Sequence, residues 1–289
     1  MKEGMPAINA IIDRVLAYRP APENKKPARI TSSLLSSESG LAALAVALGA
    51  RTVGELSKAE ASLVRSVPDV QQSVVNGLQR AIRDGGDPLG EAFCTVRSAD
   101  LRRNSGAVYT PFEIVKAMVD WATTAGTPDR VVDPGAGSGR FLLEAGRRFR
   151  KATLVAVETD PLAALTVRAN LAAAGMADRS NVLVEDFRTA HFEKIAGRTL
   201  YIGNPPYVRH HLIDDEWKKW LKSQATEFGV KASTLAGLHV YFFLAVARRA
   251  KAGDYGALIT AAEWLDVNYG QLVRDLFLDR LGGQAVYVI

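Results

Sequence analysis

Asparagine, two prolines and a tyrosine stand in succession at Asn204-Pro205-Pro206-Tyr207, directly after the apolar run TLYIG. A proline biases the residue before it toward extended backbone, which holds here for both Asn204 and Pro205. Neither proline has an N–H to donate. What remains is a stiff segment offering acceptors, the Asn204 side-chain oxygen and the Pro205 carbonyl, with Tyr207 held alongside. Such a set suits a planar amino group that donates two hydrogens from a ring on which the tyrosine stacks. The lone pair of that nitrogen is delocalised into its ring and is a poor nucleophile. Accepting both hydrogens shifts charge back onto nitrogen in the transition state of a group transfer.

Three acids fall at comparable places upstream. Asp133 ends the run RVVD and precedes Gly135, Gly137 and Gly139, glycines that let the backbone approach a ligand before a helix begins. The spacing G-x-G-x-G differs from the dinucleotide pattern, and no Gly-Lys-Ser/Thr follows, which excludes a triphosphate loop. An acid before the glycines would repel a pyrophosphate but suits an ammonium group. Glu158 ends TLVAVE, where an acid accepts from ribose hydroxyls. Asp186 ends NVLVED, where a carboxylate accepts from an exocyclic amino group, with Phe187 beside it to pack on a ring. Singly, such acids are commonly helix caps. Three at successive strand ends, with glycines at the first, predict a cationic cofactor that contains adenosine.

The elements that must hold these residues are legible as short apolar runs separated by helical patterns. RVVDP, TLVAVE, NVLVED, TLYIGN, YGALITA and QAVYVI read as strands, and RFLLEAGRRFR, PLAALTVRANLAAAG and LHVYFFLAVARRAKAG as amphipathic helices between them. The alternation predicts an α/β, Rossmann-like fold over residues 106–289, with a mostly parallel sheet covered on both faces and ligands at the carboxyl ends of its strands. Residues 1–105 read as a helical domain without chemistry of its own. AINAIIDRVLAY, ESGLAALAVALGA and VPDVQQSVVNGLQRAIRDG have helical spacing, Pro20–Arg29 is a proline-broken linker, and Gly85-Gly86 stops the third helix.

Of the 289 residues 48% are hydrophobic and 23% charged, the balance of an ordinary globular protein. The net charge of +5 permits a polyanionic partner without demanding one. Cys94 is the single cysteine, so no internal disulfide forms and a reducing compartment is expected. The adjacent rings of His210 and His211 point apart on most backbones, and no metal site is expected. The amino terminus carries charges within its apolar pattern, unlike a signal peptide. The apolar run Leu41–Ala50 is too short to span a bilayer. Together these features predict a soluble cytoplasmic protein.

On the motifs quoted, residues 106–289 resemble class I S-adenosylmethionine-dependent methyltransferases. More specifically, they resemble the gamma-class, N-P-P-Y-type DNA adenine-N6 methyltransferases of type II restriction–modification systems. GAVYTPFEIVKAMVDWA is similar to that family's G-x-x-Y-T-P segment and its following helix, and NPPYVRHHLI to its usual continuation. The resemblance implies that Tyr109, Thr110 and Pro111 close over the methionine end of the cofactor. It implies Asp133, Gly135 and Gly137 along the methionine and sulfonium, Glu158 on the ribose, and Asp186 and Phe187 on the adenine. It assigns the catalytic set to Asn204, Pro205, Pro206 and Tyr207. The implied partner is double-stranded DNA, with the target adenine flipped out of the stack.

Two departures stand out. The family usually has an acidic residue leading the helix between the fourth and fifth strands, where this chain has Gly237 and His239. The chain also stops at Ile289, in or just after the sixth strand read above. A seventh strand, an aromatic that packs on the flipped base and a target-recognition domain would be expected to follow. A fragment of a longer polypeptide is therefore expected rather than a chain completed by a separate subunit. Two other readings stay open. Protein glutamine-N5 methyltransferases acting on release factors also use N-P-P-Y, and a DNA-binding subunit could retain the fold without turnover.

Overall fold

The computed structural model describes residues 34–97, 109–267 and 270–288. The helix read over residues 7–18, the linker Pro20–Arg29, the domain boundary at 105/106 and the residues Gly106 to Val108 lie outside the described residues.

Strands β1 (Arg130–Asp133), β2 (Thr153–Glu158), β3 (Ser180–Val184), β4 (Thr199–Gly203) and β5 (Tyr255–Leu258) form one sheet in the order β3-β2-β1-β4-β5. Every neighbouring pair is parallel. Strands are added outward from β1 to β3, then on the other side of β1 from β4 to β5. The chain therefore switches direction between β1 and β4, which opens a crevice at the carboxyl ends of those two strands. Their register pairs Val132 with Tyr201, which brings Asp133 and Asn204 to the same end.

Successive strand residues bury on opposite faces, so the strands read as continuous apolar runs. Val131, Leu154, Ala156, Leu200 and Ile202 pack on one side against α5 (Phe112–Ala125), α6 (Arg140–Arg148) and α7 (Pro161–Ala173). On the other side Val132, Val155, Val157 and Tyr201 pack against α8 (Asp215–Glu227) and α9 (Leu238–Arg249). A short α10 (Gln271–Asp275) adds Leu272 and Val273 to the same cluster. The Rossmann-like reading of the sequence is borne out.

Among the described residues four helices precede α5: α1 (Glu38–Ala47), α2 (Lys58–Leu63), α3 (Gln72–Arg83) and α4 (Pro88–Val96). Helix α3 ends where the glycine pair predicts, with Gly85 at φ +101°. These helices do not stand apart from the sheet, because α7 is buried all round. Asp160 caps it, accepting from the N–H groups of Leu162 and Ala163, and Pro161 occupies its first turn. Ala164, Val167 and Leu171 face the sheet. Leu162, Leu165, Ala169 and Ala173 pack instead with Leu41, Leu44, Leu78, Ile82 and Leu89 of the preceding helices. Between these layers the Arg168 guanidinium is buried against Glu60, with Nε to Oε1 at 2.7 Å. Its other N–H groups donate to the carbonyls of Val53 and Val182.

One strand expectation is corrected. The run QAVYVI forms no strand over residues 284–288, where Val286, Tyr287 and Val288 are exposed. Its alternation is local, whereas a strand needs a neighbour to take its hydrogen bonds. Among the described residues no helix is long and apolar enough to cross a membrane.

Candidate active site at the strand ends

The glycine turn after β1 is held open from β2. Gly137 (φ +52°) donates its N–H to Glu158 Oε2 at 2.8 Å, and Ala136 donates to the Val157 carbonyl. The other oxygen of Glu158 accepts from the backbone of Thr159 and Asp160 at 2.8 and 3.0 Å. Burial raises the Glu158 carboxyl above the usual range, opposed by these three N–H groups. Gly139 (φ +86°) ends the turn and starts α6.

Asp133 beneath this turn is fully buried. Its Oδ1 accepts weakly from the Gly135 N–H at 3.4 Å, while Oδ2 has no partner. Burial pushes its carboxyl up to about 8; the Gly135 N–H opposes that and the nearby Glu158 charge adds to it. An unpaired buried carboxyl oxygen is a strong acceptor awaiting a donor, and a cationic one would be favoured most.

Across the crevice, Asn204 follows β4. Its side-chain N–H2 donates to Thr110 Oγ1 at 3.1 Å, whereas its Oδ1 is buried without a partner. The carboxamide is thus tied on its donor side and presents its acceptor. Thr110 is itself buried, and its carbonyl accepts from the Arg140 guanidinium at 2.7 Å. That guanidinium lies 3.5 Å from the centre of the Tyr109 ring. Pro111, in extended backbone, leads into α5. A side chain on Gly135 would stand 3.5 Å from Pro206 Cδ and 3.9 Å from the Asn204 carbonyl, so the glycine turn and the Asn-Pro-Pro segment approach closely.

Tyr207 is half-buried, and burial alone pushes its phenol up to about 12. Its ring centre lies 6.4 Å from that of His239, on α9. His239 is buried with Nε2 unpartnered; burial holds its imidazole below the usual range, against a smaller opposing effect of Glu263. The Leu238 N–H donates to the Val208 carbonyl at 2.9 Å and fixes α9 to the end of the motif.

The third strand end differs from its expected part. Asp186 is engaged by Arg188, accepting from its Nε at 2.8 Å and a terminal nitrogen at 2.5 Å. Phe187 is fully buried, with its ring stacked on Phe242 at 5.6 Å and near Phe192. In this arrangement Phe187 belongs to the core. The structure therefore joins Thr110, Asp133, Gly135, Gly137, Glu158, Asn204 and Pro206 into adjoining contacts and leaves Asp186 and Phe187 outside them. Arg140 and His239 are the residues that motif reading missed. Arg140 looks like a surface helix residue in the sequence, and His239 stands out there only as the replacement for an acid. A cavity of about 750 Å³ lies under the 188–195 loop, but no strand-end acid or Asn-Pro-Pro-Tyr residue lines it. Two of its cations are committed to that loop, with Arg249 donating to the Ala190 carbonyl and Lys251 to the Ile195 carbonyl.

Comparisons with known proteins agree with this geometry. Residues 173–282 match the family described as Eco57I restriction-modification methylase. The chain is 47% identical over 265 residues to the type II methyltransferase M.XamI of Xanthomonas campestris pv. amaranthicola, covering 88% of this chain and 48% of that one. It thus spans about half the length of that relative. An 89-residue stretch is 43% identical to a tRNA1(Val) (adenine(37)-N6)-methyltransferase of Shewanella amazonensis, covering 30% of this chain and 36% of that one. Among solved structures, a Listeria monocytogenes protein described as a class I S-adenosylmethionine-dependent methyltransferase superposes with a TM-score of 0.57 at 13% identity. That superposition covers 85% of this chain and 77% of that one. The type I restriction-modification methyltransferase subunit of Streptococcus thermophilus gives a TM-score of 0.50 at 19% identity, covering 68% and 44%.

A parallel sheet in this order, with glycines and acids at its strand ends, is the fold of a class I S-adenosylmethionine-dependent methyltransferase. The chain is similar to restriction-modification methylases, in agreement with the resemblance carried by its Tyr-Thr-Pro and Asn-Pro-Pro-Tyr segments.

Proposed function

We propose that the protein transfers a methyl group from S-adenosyl-L-methionine to N6 of an adenine flipped out of duplex DNA, as the modification activity of a restriction–modification system. The observation that carries this reading is Asn204, whose N–H2 is anchored on Thr110 while its buried Oδ1 is left without a partner. A buried unpaired acceptor at a strand end costs stability, and an incoming amino donor offsets that cost. Oδ1 and the Pro205 carbonyl accept the two hydrogens of the target nitrogen. Accepting them localises the lone pair on nitrogen, which becomes cationic as the new bond to the methyl forms and the bond to sulfur breaks; its proton departs afterward to solvent, so no general base is needed at the first step. Pro206 braces the segment against the glycine turn, and Tyr207, which stays protonated, stacks on the displaced base.

The same residues fit the cofactor. The unpartnered Oδ2 of Asp133 suits the ammonium of its methionine end, and Glu158 holds Gly137 while keeping lone pairs for ribose hydroxyls. Tyr109, Thr110 and Pro111 border the same end. When bound, the cofactor supplies an electrophilic methyl on a sulfonium. Asp186 and Phe187 reach its adenine only if Asp186 is shared with, or released from, Arg188. Double-stranded DNA as substrate places the reaction in the cytoplasm. Residues 1–105 serve as the helical domain and 106–289 as the catalytic domain.

The test incubates the full polypeptide encoded by the gene with radiolabelled cofactor and either unmethylated duplex DNA or a release-factor peptide. Label in DNA recovered as N6-methyladenine is expected, and label in the peptide instead would overturn the substrate assignment. Asn204→Ala is expected to lose about a thousandfold in rate, the scale of removing one preorganised hydrogen-bond partner, with cofactor affinity nearly unchanged. Full activity in that variant would overturn the mechanism.

A further inference from the structure

Asp87 lies outside the strand-end site, at the amino end of α4, where the Asp-Pro pair in the sequence marks it as no more than a helix cap. Its side chain is nevertheless almost fully buried, and both oxygens are saturated by donors from three other elements. Oδ1 accepts from the Gly90 N–H at 2.9 Å, which caps α4, and from Asn170 Nδ2 of α7 at 3.1 Å. Oδ2 accepts from Ser138 Oγ in the glycine turn at 2.5 Å and from Arg140 Nε at 2.9 Å. Asn170 also donates to the Ser138 carbonyl at 2.8 Å. The junction is tight, since a side chain on Gly90 would overlap both the Asp87 carboxylate and the Ser138 hydroxyl.

We infer that Asp87 is a positioning residue for methyl transfer, linking the helical segment to the catalytic asparagine through Arg140 and Thr110. The connection is continuous: Asp87 orients the Arg140 guanidinium, and Arg140 holds the Thr110 carbonyl at 2.7 Å. Thr110 then takes the Asn204 N–H2 at 3.1 Å and so turns Oδ1 toward the substrate side. A second branch through Ser138 sets the glycine turn. The helical segment therefore does more than cover α7, because it supplies one end of the hydrogen-bond chain that orients the acceptor. The activity part of this inference rests on the proposed reaction, whereas the structural coupling does not.

Asp87→Asn separates the positioning role from a merely structural one. Asparagine caps a helix as well as aspartate does, so α4 keeps its start. The new amide nitrogen, however, faces the Arg140 Nε–H donor to donor, since a guanidinium has no acceptor. On the full polypeptide, the variant is expected to lose about ten- to hundredfold in kcat, as a sub-ångström misplacement does. Binding of S-adenosyl-L-homocysteine by calorimetry should weaken far less. Hydrogen exchange should quicken in peptides covering 109–112 and 134–141 and stay unchanged over β3 and α8. In a Thr110→Val background, which already lacks the Asn204 anchor, Asp87→Asn should add little further loss, the non-additivity expected of groups in one chain. Arg83→Ala, which removes a hydrogen bond from α3 to the Ala173 carbonyl across the same interface, should leave kcat and both peptides as they are.

Unchanged kcat and unchanged exchange in folded Asp87→Asn would overturn the inference, as would full additivity with Thr110→Val. If Asp87→Asn fails to fold, Arg140→Lys takes its place, since it retains the charge beside Asp87 but loses the fork that reaches Thr110. Normal kcat in Arg140→Lys would likewise overturn it. A wild-type protein that methylates no DNA but shows the exchange coupling would sink the proposed reaction and leave the positioning of Asn204 by Asp87 supported.

Discussion

A carboxylate buried like Asp133 costs the empty protein stability, and the cost has a definite pH dependence. Its carboxyl is pushed up to about 8 by burial, against about 3.9 in an unfolded chain. Folding therefore takes up a proton between those values, so the contribution of Asp133 to stability is present at low pH and is lost as pH rises from about 4 to about 8. Asp133→Asn removes that loss. Without cofactor, it should raise Tm by roughly 3–8 °C at pH 8.5 and hardly at all near pH 4, as differential scanning calorimetry would show. Cofactor affinity should fall about tenfold or more, the worth of one hydrogen bond to a charged group, as measured by titration calorimetry. The strand-end residues were legible in the sequence because each sits within a few positions of an apolar run. The junction at Asp87 was not, since its partners beyond α4 are 51 to 83 positions away and no local pattern records them. The packing of Phe187 is hidden from the sequence for the same reason. An aromatic after a strand reads as ligand-facing until Phe192 and Phe242 are seen to enclose it.

Helices α6 and α7 depend on a single close approach. Gly139 carries φ +86°, and a side chain there would run into Val167 of α7. Gly139→Ala is expected to destabilise by at least 2 kcal/mol, combining left-handed strain with overpacking. Val167→Ala in the same chain should restore part of that loss in urea denaturation. The pair Arg168–Glu60 is a second such junction, buried on both sides. Glu60→Gln leaves a guanidinium without its counter-charge in the core and should cost about 3–5 kcal/mol, again read from urea midpoints. Five strands and the longer helices on the sheet followed from runs and periodicity. Helix α2, with six residues, is too short to show a period, and the polar sequence of α8 hides its buried Leu221 and Ala225. The alternation in QAVYVI was legible as a pattern but not as a strand, because pairing is a property of two segments.

The described chain behaves as one body because α7 is shared. The sheet claims one of its faces and the α1–α4 cluster the other, with Arg168 crossing between them. Separating the two regions should therefore not give a well-behaved catalytic piece. Residues 109–289 expressed alone should expose Leu162, Leu165, Ala169 and Ala173, bind a hydrophobic dye and aggregate, whereas co-expressed residues 1–97 should recover soluble complex. The shared helix also sets a timetable during synthesis. Glu60 leaves the ribosome 108 residues before Arg168 does. At about 5–20 residues per second, the apolar faces of α1 and α3 wait on the order of 5–20 s for the helix that covers them. Nascent chains stalled shortly before residue 161 would hold that unsatisfied surface indefinitely, which makes them the species on which chaperone engagement with this protein should be greatest.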